Sequence, residues 1–314
     1  MSVRTPKDLG TLVRGVCPVL EVPFHEDGSL DPDGFTTVVD RVLATGVGSV
    51  MFPGFAGEFH KLDDAERELL TGLLLERTRG SEDVAAVVSV PDHATRHAVH
   101  QALRAAELGA DALNLLPPHF LAPSGAAVSE HLRAVLTAVA PLPVVIQYAP
   151  AQTGTALDAP TLHRLAAEHP NLRWVKVESA PPGKLIAALA AGPRPLPSLV
   201  GHAGLHLPDA LRRGAVGVQP GCSFTELYVA LWALWERGDE AGALALHTRM
   251  LPYLSYWMQS VELIIAAEKE ISVRRGWFAS AHCRAPGHRL DEEESRMIDR
   301  FCAEFAALVP ELSR

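Results

Sequence analysis

Residues 142–178, LPVVIQYAPAQTGTALDAPTLHRLAAEHPNLRWVKVE, hold the pattern that decides the fold. Two short apolar runs, 142–147 and 172–178, flank a segment at 159–168 whose apolar residues recur at helical spacing. A brief run rich in Val, Ile and Leu reads as a strand buried on both faces. A strand–helix–strand unit sets its two strands parallel, because the helix carries the chain back to the starting edge. The alternation extends outward in both directions. Strands are predicted at 15–22, 48–53, 83–90, 111–116, 197–201 and 215–219, and helices at 33–45, 64–79, 93–108, 125–139, 183–191, 205–213 and 223–236. Eight such alternations with short connections predict an α/β fold, the (β/α)8 TIM barrel, over an open sheet. Beyond residue 238 the strand pattern stops, and 239–250, 253–274 and 290–308 read as helices. The expected organisation is a barrel over 1–237 and a C-terminal helical region over 238–314 packed on it. Asp63 with Glu66 forms a capping-box pattern, Asp92 is expected to open the next helix in the same way, and Gly109 and Gly214 stand where helices should stop.

Composition narrows the function classes. Apolar residues make up 48% of the 314, enough for a large packed core. A net charge of −9 with both signs interleaved argues against a nucleic-acid partner, which needs a basic stripe. The first residues show no apolar run before a cleavage site, and no stretch is long and apolar enough to span a membrane. Cys17, Cys222, Cys283 and Cys302 are scattered without a CxxC pair and read as free thiols, so a cytoplasmic location is expected. No phosphate-binding loop or dinucleotide fingerprint is present, and no cofactor is expected. His93, His97 and His100 lie at helical spacing on an outer helix and read as a solvated face, so no metal site is assigned. Cys222 reads as a small buried residue, and Trp232, Trp235, Tyr253, Tyr256 and Trp257 as core or subunit contacts.

In a (β/α)8 barrel the active site gathers at the C-terminal ends of the strands. Those positions hold Gly54-Phe55-Ala56-Gly57-Glu58, Pro117-Pro118-His119, Gln147-Tyr148, Lys176 with Glu178, Gly201-His202 and Gln219. Lys176 stands out, because lysine is unusual within an apolar strand. Burial favours the neutral amine, which is the form that attacks a carbonyl to give an imine. An internal ion pair with Glu178, two residues on and therefore on the same face, is the competing reading. Gly54–Gly57 can present backbone N–H groups to an anion, or be an ordinary tight turn.

These residues fall in an order that resembles the dihydrodipicolinate synthase/N-acetylneuraminate lyase family. The likeness rests on Pro23-Phe24 with Asp27-Gly28 and Asp31, on Gly54…Gly57-Glu58 with Leu62 and Glu66-Arg67, on Gly109-Ala110-Asp111-Ala112 with Pro117-Pro118, on Pro150 with Thr153-Gly154, and on Gly214-Ala215 with Gly217. It spans roughly residues 14–310. It implies that Lys176 is the Schiff-base lysine of a class I aldolase or lyase acting on a 2-keto acid such as pyruvate or a sugar-derived keto acid. It also implies a homo-oligomer, dimer or tetramer. The sequence departs from the family at telling places. Phe55 and Ala56 replace the two threonines that contact the substrate carboxylate. Gln147 occupies the place of the relay tyrosine, with Tyr148 one residue later. Gln152 replaces an arginine, and His119-Phe120 replaces the aromatic pair, Phe120 standing at the position lent to a neighbouring subunit. The expected catalytic set is therefore Lys176 with Gln147, Tyr148 and Glu178. The expected substrate-binding set is Gly54, Phe55, Ala56, Gly57, His119, Gly201, His202 and Gln219. The alternatives are 4-hydroxy-tetrahydrodipicolinate synthase proper, a non-catalytic paralogue that binds a small ligand, and a metal-dependent barrel aldolase.

Overall fold

The computed structural model describes residues 7–192 and 194–313; the stretch inspected above for a leader lies partly outside them. In chain order the helices and strands are α1 (Leu9–Leu12), β1 (Gly15–Val16), α2 (Pro32–Leu43), β2 (Ser49–Phe52), α3 (Asp64–Thr78), β3 (Ala85–Val90), α4 (Thr95–Leu108), β4 (Ala112–Leu115), α5 (Gly125–Val139), β5 (Val144–Tyr148), α6 (Pro150–Thr153), α7 (Ala159–Glu168), β6 (Leu172–Val177), α8 (Pro182–Ala190), β7 (Ser198–Val200), α9 (Leu207–Arg212), β8 (Gly217–Val218), α10 (Thr225–Glu236), α11 (Glu240–Trp257), α12 (Val261–Arg274) and α13 (Glu292–Phe305). The eight strands follow the order β1-β8-β7-β6-β5-β4-β3-β2, the order of a (β/α)8 barrel. Each strand falls inside its predicted run, except that β5 extends one residue to Tyr148. No helix among the described residues is long and apolar enough to cross a membrane.

The chain divides into two compact units, one of residues up to Arg14 with Gly80–Gln219, the other of Gly15–Arg79 with Pro220–Arg314. In the first, β3 to β8 pair in parallel, with Ser89 beside Asn114 and Gln147 beside Lys176. Val13, Ala85, Val145, Trp174 and Leu199 form a core cluster against which Leu9 and Leu12 of α1 pack. The sequence reading missed α1 and α6, each of four residues and too short for a periodic signal.

In the second unit Asp63 and Glu66 close the predicted capping box of α3. The expectation for Asp92 fails in the first unit, where the N-cap of α4 is Ala94, with no side-chain bond. Gly109 and Gly214 adopt φ values of 101° and 98°, conformations that favour glycine. The predicted break between 250 and 253 is also corrected, because α11 runs through Pro252 to Trp257. The physical reason is packing. Tyr253 and Trp257 lie one turn apart on α11, each 5.2 Å from the Phe301 ring, which also meets Phe224 at 5.1 Å and Phe305 at 4.9 Å. Aromatic burial of this kind outweighs the local cost of a proline. The next helix starts at Ser260, whose hydroxyl accepts from the Leu263 N–H at 3.1 Å. Phe301→Ala should cost about 3–5 kcal/mol. Urea denaturation of the variant checks this, and a loss below about 1 kcal/mol would show that the aromatic cluster does not hold the unit.

Candidate active site

Period-2 alternation settles which side chains of β5 and β6 share a face. Gln147 and Lys176 are register partners, and both are buried. The Lys176 Nζ lies 3.4 Å from Glu178 Oε1, one residue past the end of β6. The Gln147 Nε2 donates to Glu178 Oε2 at 2.7 Å, and its Oε1 accepts from Asn114 Nδ2 at 2.9 Å. That Asn114 nitrogen also donates to Ser89 Oγ at 3.0 Å. A polar row thus crosses four neighbouring strands, from Ser89 on β3 to Lys176 on β6. Each member fixes the next, and both ends of the Gln147 amide are assigned by their partners.

Glu178 is also held from β7. The His202 backbone N–H donates to Glu178 Oε1 at 3.3 Å. Gly201 makes room for the carboxylate, since a Cβ there would lie 2.3 Å from Glu178 Cγ and Oε1. His202 and Ala203 both have φ near 50°, a left-handed turn that costs strain at non-glycine residues and aims the amide at the carboxylate. Burial raises the Glu178 pKa, but the nearby Lys176 charge, the His202 ring and the bonds from Gln147 and His202 outweigh it and hold the carboxyl below its usual range. Glu178 is therefore an ionised acceptor beside the lysine amine. Burial pushes the His202 imidazole down, against the attraction of Glu178.

The other expected site residues of this unit have different partners. Tyr148 lies on the opposite face of β5 from Gln147, and its phenol oxygen accepts from the Leu157 N–H at 3.3 Å. Its backbone carbonyl accepts from the Glu178 N–H. His119 packs edge-on against His93, whose Nδ1 accepts from the Phe120 N–H at 2.9 Å. His93 thus anchors the loop after β4. Gln219 is buried just past β8, its N–H donating to Val200 O. Ser89 and Asn114 were not among the expected residues. Their signal was present, as polar side chains inside the apolar runs 83–90 and 111–116.

In the second unit Gly54–Gly57 forms the expected tight turn. The N–H groups of Gly57, Glu58 and Phe59 bond back to the carbonyls of Gly54 and Phe55, bonds in which the amides of Phe55 and Ala56 take no part. Glycine is required at 57, where a Cβ would fall 2.6 Å from the Leu20 carbonyl oxygen. Glu58 closes the turn with its carboxylate between Lys61 at 2.9 Å and Lys269. Cys222 is buried, its Sγ 3.4 Å from the Glu21 N–H, and burial pushes the thiol up, so it is the small core residue expected.

The same unit buries two further acids. Glu21 accepts from the Ser272 hydroxyl, and its Oε2 meets no hydrogen-bond partner among the described residues. Glu268 accepts from Ser223 N and Oγ at 3.4 and 3.3 Å. Burial raises Glu21 from 4.5 to about 8 and Glu268 to about 7. Both folded-state values lie above the unfolded ones, so their stabilising effect is complete below pH 4.5 and is lost as pH rises through 7 to 8. Urea midpoints should fall between pH 5.5 and 8.5, and the Glu21→Gln/Glu268→Gln variant should fall less steeply (~ in the manner of linked titrations). An identical slope would contradict the assignment.

The described structure thus places a buried lysine beside an ionised glutamate near the C-terminal ends of the strands. The sequence profile of the dihydrodipicolinate synthetase family matches residues 12–304, and the chain belongs to that family. It is accordingly an enzyme of the lyase and aldolase kind. It is 33% identical over 253 residues to the 4-hydroxy-tetrahydrodipicolinate synthase of Acidothermus cellulolyticus, covering 80% of each chain. It is 30% identical over 282 residues to the L-2-keto-3-deoxyarabonate dehydratase of Azospirillum brasilense, covering 87% of this chain and 88% of the relative. Its fold matches that of YagE, a prophage protein of the same family from E. coli K12 solved in complex with pyruvate, with a TM-score of 0.84, 24% identity and coverage of 93% and 98% of the two chains.

Proposed function

We propose that this enzyme is a class I lyase that binds a hydroxylated 2-keto acid as an imine on Lys176. The observation that carries the reading is the Lys176–Glu178 pair inside the polar row of Gln147, Asn114 and Ser89. The Lys176 ammonium passes a proton to Glu178 and the amine adds to the C2 carbonyl; Glu178 then returns that proton to the carbinolamine hydroxyl, which leaves as water to give a protonated imine. Glu178 then takes a proton from C3, and the electron pair of that C–H bond moves toward the imine nitrogen to give an enamine. The enamine expels the C4 hydroxyl, which leaves as water with the proton that Glu178 took from C3; in the cleavage alternative Glu178 instead takes the proton of the C4 hydroxyl, and the C3–C4 electron pair moves into the imine to give the enamine directly. Gln147 orients Glu178 and supplies no proton itself. Asn114 Oδ1, buried and without a hydrogen-bond partner among the described residues, is an acceptor for a substrate hydroxyl.

Resemblance to a keto-deoxy sugar acid dehydratase, and to a family member that binds pyruvate, supports this substrate class. The alternative of 4-hydroxy-tetrahydrodipicolinate synthase proper is supported by the Acidothermus relative, but in the described structure Tyr148 turns its phenol to Leu157 instead of to Lys176. The sequence alone proposes the Gly54–Gly57 turn as an anion-binding turn of the second unit. The proposed reading takes the protein as a cytoplasmic homo-oligomer, dimer or tetramer, that needs no cofactor, with a barrel over 1–237 and a helical region over 238–314.

Imine–enamine cycling exchanges the C3 protons of pyruvate for deuterium, which proton NMR in D2O follows directly. The wild type should catalyse the exchange, Lys176→Ala should abolish it, and Glu178→Gln should slow it by about 10²–10⁴-fold. Exchange at the wild-type rate in Glu178→Gln would remove Glu178 from the proposal. The absence of exchange in the wild type with pyruvate and with hydroxylated 2-keto acids would remove the imine.

A further inference from the structure

The Gln147 amide has two orientations available to it. Its terminal torsion is two-fold, so a half-turn exchanges Nε2 for Oε1 with little change of shape. Only the orientation with Nε2 toward Glu178 suits an ionised carboxylate, which accepts hydrogen bonds and donates none. In the structure Nε2 donates to Glu178 Oε2 at 2.7 Å. Burial works against the carboxylate charge, while Lys176, His202 and this bond work for it. The titratable groups that face Glu178 are Lys176 on β6 and His202 past β7, and β5 contributes the neutral Gln147.

The amide is held in that orientation from the next two strands. Gln147 Oε1 accepts from Asn114 Nδ2 at 2.9 Å, and the same nitrogen donates to Ser89 Oγ at 3.0 Å. Nδ2 has two N–H groups, so both are committed. All three side chains are buried, and Ser89 and Asn114 are register partners on β3 and β4. A half-turn of Gln147 alone would set Oε1 against the carboxylate and Nε2 against the Asn114 donor, like facing like at both ends. To relieve the second clash Asn114 would have to turn as well, and the Ser89 hydroxyl with it. The three groups reverse together or not at all, and a joint reversal is costly in a packed interior.

We infer that Asn114, braced by Ser89, is a positioning residue for the base: it holds the Gln147 N–H on Glu178 and so keeps that carboxylate ionised beside Lys176. Residues on β3 and β4 thereby set the pH range over which Glu178 can take a proton. For catalysis this rests on Glu178 as the base of the proposed reaction, but the coupling along the row is present in the free enzyme and is tested there first.

Asn114 and Asn171 are the two asparagines of the chain, so full-length protein labelled with heavy-nitrogen asparagine shows two side-chain amides by NMR. Asn171 is the internal control, its Nδ2 donating to the Leu136 and Leu142 carbonyls. At neutral pH, Glu178→Gln removes the carboxylate charge and should shift the Asn114 amide signal while the Asn171 signal stays in place. With Gln147→Leu also present, the greater part of that shift should vanish. In the pH profile of pyruvate C3 exchange, Ser89→Ala and Asn114→Leu should each move the acid limb upward, Asn114→Leu by about one pH unit. The sign follows because a weaker Gln147 bond lets Glu178 keep its proton to higher pH. Pyruvate has no hydroxyl to meet Asn114 Oδ1, so loss of that acceptor does not enter. Both movements should disappear in a Gln147→Leu background, which a merely structural role would not produce. Ser89→Ala removes a single buried oxygen and keeps the test open should Asn114→Leu fail to fold. An Asn114 signal indifferent to Glu178→Gln, a shift undiminished by Gln147→Leu, or acid limbs unmoved in both variants would overturn the inference. Absence of exchange in every form, with the Asn114 signal responding as expected, would strike the imine reading and support the coupled row.

Discussion

The Lys176–Glu178 pair constrains everything around it. A lysine and a glutamate held 3.4 Å apart in a buried site carry a desolvation cost that Coulombic attraction alone rarely offsets. The surroundings are organised to meet that cost. Gln147 and the His202 amide each give the carboxylate a hydrogen bond, Gly201 vacates the space it occupies, and two residues accept a left-handed backbone to aim that amide. Removing one member would leave a buried charge without its partner, the expensive case. Stability alone would be served better by an apolar layer at these positions. The pair accordingly fits the proposed chemistry, in which the lysine is the nucleophile and the carboxylate the base beside it.

The second unit solves a related problem differently. Glu58 is buried between two lysines, and Lys269 in turn stands over the Phe24 ring at 4.3 Å and donates to the His282 carbonyl at 2.9 Å. This carboxylate is fully committed to structure and locks the Gly54–Gly57 turn. The contrast with Glu178 separates roles that the sequence leaves merged, since both acids follow strand ends. Glu21 and Glu268 form a third case, acids so deeply buried that burial raises them to about 8 and about 7.

Much of this was legible in the chain. Short runs rich in Val, Ile and Leu marked all eight strands, because a parallel barrel buries both faces of each strand and so removes the polar half of the pattern. Lys176 was legible for the same reason, as a charge where the pattern allows none. Period-2 spacing also placed Glu178 on the lysine's face. What resisted reading depended on three-dimensional neighbours. Helix α11 passes through Pro252 because Tyr253 and Trp257 find Phe301, a residue 48 and 44 positions away. Ser89 and Asn114 were visible as polar interruptions, yet only strand register joins them to Gln147. The left-handed turn at His202 and Ala203 has no sequence signal at all, since neither residue is a glycine.

The central claim is that the Lys176 nitrogen bonds covalently to the carbonyl carbon of a 2-keto acid. Sodium borohydride reduces such an imine to a stable secondary amine, and peptide mass spectrometry locates it. The account predicts that incubation with pyruvate and borohydride adds the mass of one reduced pyruvate adduct per chain, on the peptide containing Trp174-Val175-Lys176-Val177 and at Lys176 itself. An adduct on another lysine, or no adduct with pyruvate or with any hydroxylated 2-keto acid, would contradict it.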